Sequence, residues 1–515
     1  MKKSKKFLSL LLVLALVVAL AVPAFAAGGD LAGHTLVAYQ IFKGTIATVD
    51  GEEVLGQVEW GDGINADAFL TALKQDGTIG KLFENVGSAE DEGSAKDVAG
   101  VLAGFGTDSA EAYAFARVAA ANVNKGEGKA EGDKLDAGYY VVVDETTGKE
   151  NEEGWAYNAT LLQMVEGNTE FDPKDKVDVP TLEKKIEEDG SLVPATSVNV
   201  GDKVTFTITT TLPADFNDKN EYSEYEVKIY DTPATGLEID KESWKVTYND
   251  TTDATADWKL EEKDVGDDKT YIWTSPDLID KGLTAGSKIT LTYEAWVTKE
   301  ILDNATVNQA DNEAYLEFPN KPGTTEKGKT PDSKVTVFTF NVEVNKVKED
   351  KTPLEGAEFT LYRETAQGAW EKVGKVTYGP NSTEFDPNSK NEDGTVFTFE
   401  GLKKGRYKLE ETVVPAGYNK ADDIYFEIVA EYNEDGSIKE LKVVNGDTTL
   451  SDGEDATFTA TMSEKEVSTN VVNVKGIHLP STGGIGTTIF YVVGGLLIVG
   501  AGVVLITKKR MGSAE

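Results

Sequence analysis

The sequence predicts a mainly β protein: β-sandwiches in tandem behind an α+β N-terminal domain. Three observations predict it. Residues 177–335 and 336–475 alternate apolar and polar side chains with the period of half-buried strands. Turn dipeptides Asp393-Gly394 and Asp435-Gly436 stand between such runs, as hairpins require. Helix-like spacing is confined to the first third, where Ala-rich segments at 67–73 and 109–123 carry apolar residues three and four apart.

In chain order, residues 1–26 join a basic start (MKKSKK), an apolar run over 7–22 and the small-residue site Ala24-Phe25-Ala26. That is a secretory signal peptide, with cleavage expected after Ala26. Residues 27–176 form the α+β domain, with strand-like runs at 35–42 and 138–144. Residues 177–335 read as an antiparallel sandwich: Val204, Phe206 and Ile208 alternate with Thr, and Tyr225, Val227 and Ile229 with charged residues. Residues 336–478 repeat the pattern in Val342/Val344, Phe359/Leu361 and Tyr407/Leu409, behind a Pro/Gly/Lys-rich stretch at 321–331 expected to be a linker. The end, 479–515, holds Leu479-Pro480-Ser481-Thr482-Gly483, an apolar span over 485–506 and Lys508-Lys509-Arg510. Such a span is long enough to cross a bilayer, and the basic cluster marks its cytoplasmic side.

Composition removes whole classes of function. With 515 residues and no cysteine there is no disulfide, thiolate nucleophile or zinc finger, and the two histidines, His34 and His478, lie far apart in the chain. A pI near 4.5 argues against nucleic acid as a partner. Removing the four lysines of the leader, and the three basic residues and Glu515 of the tail, from 51 basic and 89 acidic residues leaves 44 and 88, a net charge of −44. Such a surface is soluble and self-repelling. The acidic stretch 215–224 lacks EF-hand spacing and reads as a solvated loop, so no metal and no cofactor is expected.

Several polar residues break the strand pattern. Lys184 shares parity with Leu182 and Ile186, Asp231 follows Tyr225, Val227 and Ile229, and Asn312 shares a face with Ala314, Leu316 and Phe318. In the third domain Lys346 follows Val342 and Val344, Glu411 follows Tyr407 and Leu409, and Asn473 closes the last strand. Parity leaves Lys185 and Asn470 open as alternatives to Lys184 and Asn473. A buried ion pair is the plain reading. The sharper one is covalent: a desolvated lysine becomes a neutral amine, a nearby carboxyl kept protonated polarises the Asn carbonyl and shuttles a proton, and ammonia leaves as a Lys–Asn amide forms.

These residues carry resemblances. The LPxTG pentapeptide, apolar span and basic tail resemble the cell-wall sorting signal of Gram-positive bacteria. The resemblance implies that a sortase cleaves between Thr482 and Gly483, recognising Leu479 and Pro480. Val344-Asn345-Lys346-Val347-Lys348, Leu354-Glu355-Gly356-Ala357-Glu358-Phe359 and Tyr407-Lys408-Leu409-Glu410-Glu411-Thr412, with Pro415-Ala416-Gly417-Tyr418, resemble the immunoglobulin-like Cna-B-type domain. This implies a cross-link from Lys346 to Asn473 with Glu411 as proton shuttle. The second domain resembles the Cna-A type, implying Lys184, Asn312 and the shuttle Asp231. Glu170-Phe171-Asp172-Pro173-Lys174-Asp175-Lys176, with Trp155 upstream, resembles the pilin motif of sortase-assembled pili, although that family has Tyr and Asn where this chain has Phe171 and Asp175. It makes Lys174, or else Lys176, the amine joined to Thr482 of the next subunit. The same Glu-Phe-Asp-Pro recurs at 384–387, followed by Asn388.

Together the resemblances imply the major, backbone subunit of a wall-anchored pilus serving adhesion and colonisation. Its partners are then sortase, further copies of itself, ancillary pilins and peptidoglycan, with no host ligand specified. A singly anchored adhesin or an ancillary pilin is the alternative, and only the pilin lysine separates the two. An anchored enzyme has no local motif in its favour.

Overall fold

The structure, a computed structural model, describes residues 33–511 except 50–51, 107–108, 150–151, 158–159, 172–178, 215, 217–221, 266–267, 304–306, 323, 446–457, 478 and 480–484. The signal peptide, Lys174, Lys176 and Pro480 to Gly483 therefore lie outside the described residues.

The first region is α+β. Its sheet runs Glu52–Trp60, Leu36–Val49, Gly138–Asp144, Leu161–Val165, with Lys129–Ala130 added to Leu36–Val49. Two helices begin where a side chain caps them. The Asn65 carbonyl oxygen accepts from Ala68 N ahead of Ala66–Gln75, and the Ser109 hydroxyl accepts from Ala112 N ahead of Ala110–Ala121. They bury Phe69, Leu70 and Leu73, and Tyr113, Phe115 and Ala119, against the sheet.

The second region is a sandwich of two seven-stranded sheets. One runs Ala195–Ser197, Ser333–Phe338, Gln309–Pro319, Lys228–Pro233, Asp268–Thr274, Lys259–Val265, with Lys327–Lys329 added to Gln309–Pro319; the other runs Thr252–Asp253, Lys245–Tyr248, Lys288–Val297, Lys203–Thr211, Thr181–Glu188, Ser191–Val193, with Leu237–Ile239 added to Lys288–Val297. Strict alternation builds the core. Along Lys288–Val297 every second residue from Ile289 to Val297 is buried. The expected linker at 321–331 is part of this sandwich instead. Lys327–Lys329 folds back to pair with Glu317 to Pro319, and the Thr330 hydroxyl accepts from Leu316 N. Proline and glycine mark a tight return within one sheet here, not an exit from it. The strand Ser333–Phe338 also runs across the expected boundary at 335.

The third region is a smaller sandwich of two five-stranded sheets. One runs Asn388–Lys390, Val396–Leu402, Phe340–Lys348, Glu466–Asn473, Phe458–Thr461; the other runs Trp370–Lys372, Glu358–Glu364, Gly405–Val413, Ile424–Tyr432, Ile438–Asn445. Phe340–Lys348 and Glu466–Asn473, first and last strands of the region, are parallel neighbours. A helix, Ile485–Met511, ends the described chain; within it 489–509 is long and apolar enough to cross a membrane.

The two sandwiches meet through specific bonds. Val200 N donates to Gly401 O at 2.9 Å, Lys404 N to Ser197 Oγ at 2.9 Å, and Lys299 N to Tyr378 Oη at 2.8 Å. Gly401 sits at φ 68° with Val200 packed where a Cβ would stand, so it permits both the turn and the contact.

Candidate cross-linking sites

In the second region Lys184 lies on Thr181–Glu188 of one sheet, and Asp231 and Asn312 lie on the facing sheet, on Lys228–Pro233 and Gln309–Pro319. The three residues are essentially sealed from solvent, at 1, 0 and 0% exposure. Lys184 Nζ pairs with Asp231 Oδ2. Lys185 points the other way and pairs with Glu183 near the surface, which settles the register on Lys184. Asp231 and Asn312 sit within strands, with Asp231 opposite Ala314 and Asn312 opposite Pro233.

Sequence reasoning missed a fourth member, Tyr293 on Lys288–Val297. Its Oη accepts from Lys184 Nζ at 3.0 Å and from Asn312 Nδ2 at 2.9 Å, and donates to Asp231 Oδ2 at 2.8 Å. Phe206 and Trp273 stack on its ring at 5.3 Å on either count, and the Lys184 ammonium stands 5.2 Å from the Phe206 centroid. The only sequence signal for Tyr293 is a hydroxyl among core aromatics on a strictly alternating strand.

This environment changes the protonation chemistry. Burial pulls Lys184 down to about 8 against the opposing pull of Asp231. Burial pushes the Asp231 carboxyl up despite Lys184, and holds Tyr293 well above its ordinary value, so the phenol keeps its proton. Both members of the ion pair are thus driven toward the neutral amine and neutral acid.

The third region solves the same problem with different parts. Lys346 and Asn473 lie on the parallel neighbours Phe340–Lys348 and Glu466–Asn473 of one sheet, while Glu411 reaches across from Gly405–Val413 of the other. All three are at most 2% exposed. Lys346 Nζ donates to Asn473 Oδ1 and, at 3.0 Å, to Val471 O. Glu411 Oε1 lies 3.5 Å from Lys346 Nζ and accepts from Asn473 Nδ2 at 2.8 Å. Its other oxygen accepts from the Ala421 backbone N–H at 2.8 Å, just beyond the Pro415 to Tyr418 motif. Burial lowers Lys346 as well, opposed by Glu411. Asn470 is exposed, leaving Asn473 as the inward amide.

One geometric expectation differs. The carboxyl was expected on the Asn carbonyl; here Glu411 holds the amide nitrogen and the lysine holds the carbonyl oxygen. Glu411 Oε1 thus takes the N–H side of the amide and stands beside the group that would leave. Among the described residues of 33–171 no lysine is buried, so this region has no third constellation of the kind.

The segment leading to Lys174 is anchored. Phe171 is buried with Leu36, Leu135, Tyr140 and Val165, and its backbone N–H donates to Asp133 O. Upstream, Trp155 stacks on His34 at 4.1 Å, and Gly154 N donates to Lys329 O of the second region. The second Glu-Phe-Asp-Pro ends the strand Thr383–Phe385, and Asp386 Oδ1 accepts from Asn388 N at 3.1 Å just beyond it.

Residues 340–447 match the family model of SpaA, a prealbumin-like fold domain. Residues 471–511 match the LPXTG cell wall anchor motif, which makes this a cell-wall-anchored surface protein. No curated protein matches the chain. Solved structures similar to it include the T6 backbone pilin of serotype M6 Streptococcus pyogenes, at 16% identity and TM-score 0.47, covering 86% of this chain and 96% of that one. The full-length major pilin SpaD from Corynebacterium diphtheriae is similar at 17% identity and TM-score 0.45, covering 86% and 93%. The major pilin SpaA from the same organism is similar at 14% identity and TM-score 0.43, covering 86% and 95%.

Proposed function

We propose that this chain is the backbone subunit of a covalent pilus, braced internally by two Lys–Asn amides. The observation that carries the reading is the pair of buried Lys/acid/Asn sets, each with its amine within reach of an Asn amide or of the residues that hold it. A lone ion pair would not require the third residue, and two sealed lysines are costly in apolar cores unless they react. In each site the neutral amine attacks the Asn Cγ, the carboxyl moves a proton from the amine to the amide nitrogen, and ammonia leaves. Lys184 is joined to Asn312 between sheets, and Lys346 to Asn473 within one sheet. Residues 27–176, 177–335 and 336–478 then act as three domains, the second extended to Phe338 by its last strand.

Polymerisation uses the other end of the same chemistry. A sortase takes the Thr482 carbonyl, releasing Gly483 and the apolar helix, and the ε-amine of Lys174 in another copy resolves the acyl-enzyme. A surface at −44 gives subunits little reason to associate without that bond. The protein is a substrate of an enzyme and closes its own cross-links once each; it turns nothing over.

Intact mass tests the internal bonds. Purified 27–482 is expected about 34 Da below its sequence mass, one ammonia of about 17 Da for each amide. A mass equal to the unmodified sum would remove both.

A further inference from the structure

In the third site the carboxylate takes the hydrogen bond of the leaving amide, whereas in the second a tyrosine hydroxyl takes it, with Asp231 also interacting with Asn312. Glu411 accepts from Asn473 Nδ2 at 2.8 Å, but Asn312 Nδ2 donates to Tyr293 Oη. Asp231 is one methylene shorter than a glutamate, a reach lost of about 1.5 Å. Tyr293 bridges the acid and the amide through its Oη. Its single oxygen touches the attacking nitrogen of Lys184, the leaving nitrogen of Asn312 and the carboxylate of Asp231, all within 3.0 Å. Its ring is fully buried and packed against Phe206 and Trp273.

Resting on the cross-link proposed above, we infer that Tyr293 is a catalytic residue of the second domain, a hydroxyl relay that carries the proton from Asp231 to the departing ammonia. The step balances. Lys184, as the neutral amine, adds to Asn312 Cγ, and the carbonyl electron pair moves to Oδ1. Tyr293 gives its proton to Nδ2 and takes one from the Asp231 carboxyl. The Asp231 carboxylate then takes the surplus proton from Nζ. The carbonyl re-forms, the Cγ–Nδ2 bond breaks and ammonia leaves; Asp231 and Tyr293 end as they began. Because burial holds the phenol proton firmly, Tyr293 passes a proton on and does not store charge. The pairing of a short acid with a hydroxyl, against a long acid without one, makes the two sites alternative solutions to one distance.

The test follows ammonia loss by intact mass and by mapping the Lys184–Asn312 branched peptide, over time after synthesis. The Lys346–Asn473 bond in the same molecule serves as internal clock and as a check that the chain has folded. Tyr293→Phe keeps the packing and is expected to slow second-domain closure about 100-fold or more, the usual worth of a positioned proton donor. Adding Asp231→Glu to Tyr293→Phe restores the missing reach and is expected to recover most of the rate. A purely structural tyrosine would not be rescued by lengthening the acid. Closure at the native rate in Tyr293→Phe, or slow closure that Asp231→Glu leaves slow, overturns the relay. A native protein that lacks the Lys184–Asn312 peptide altogether instead overturns the cross-link on which the relay rests.

Discussion

A Glu411→Gln variant is expected to keep the ammonia that the native third domain expels, and to lose much of that domain's stability. Glutamine preserves the volume and can still accept from Ala421 N, but it cannot shuttle a proton. Lys346 is left sealed in the core beside Phe359 with no counter-charge. Two costs follow. Leaving Lys346 as an uncompensated buried charge costs about 3–5 kcal/mol. The absent amide would have closed a loop of 127 residues, and by the chain-entropy argument used for disulfides that closure is worth about 5 kcal/mol. Against a typical domain stability of roughly 5–15 kcal/mol, the combined loss leaves the domain marginal or unfolded at 37 °C. Intact mass should rise by about 16 Da relative to native, a retained ammonia of about 17 Da less the roughly 1 Da that Glu→Gln removes, and limited proteolysis should cut within 340–473 while the second domain persists. Loss of both ammonias in Glu411→Gln would remove Glu411 from the chemistry.

A Lys174→Ala variant is expected to abolish the high-mass ladder that the proposed polymerisation predicts for native wall extracts on denaturing gels, leaving wall-linked monomer. This is an all-or-none effect, because each subunit offers one such amine to the next. The chain's covalent geometry explains why the acceptor belongs at this join. With the proposed cross-links in place, load entering at Thr482 and leaving at Lys174 would cross the third domain through Lys346–Asn473 and the second through Lys184–Asn312. Residues 185–311 and 347–472 are bypassed, and the first domain lies off the path. Only 313–345 is loaded between the two clamps, and its strands are held in register with Asn312 opposite Val335. A ladder that persists in Lys174→Ala and disappears in Lys176→Ala would move the acceptor by two residues without changing this path.

Much of this was legible in the sequence because strand parity is binary. Lys184 lies between Leu182 and Ile186 on one face, so its burial follows once the strand is recognised, and the same holds for Glu411 after Tyr407 and Leu409. Parity does not say which strands adjoin. That the bond proposed in the second domain would cross between sheets, while the one proposed in the third would join neighbours in one sheet, emerges only from the fold. Tyr293 was hidden for a related reason: a core tyrosine is ordinary, and its hydroxyl matters only through three partners distant in sequence. The Ala421 N–H that holds Glu411 has no side-chain signature at all. The stretch 321–331 misled because Pro and Gly mark any chain reversal, within a sheet or between domains.

The central claim is a covalent bond between subunits, and the most direct measurement is tandem mass spectrometry of the polymer released from the wall. The account predicts a branched peptide in which the carboxyl of Thr482 is linked to the ε-amine of Lys174. Thr482 found only on peptidoglycan amines, with Lys174 unmodified throughout, would contradict it.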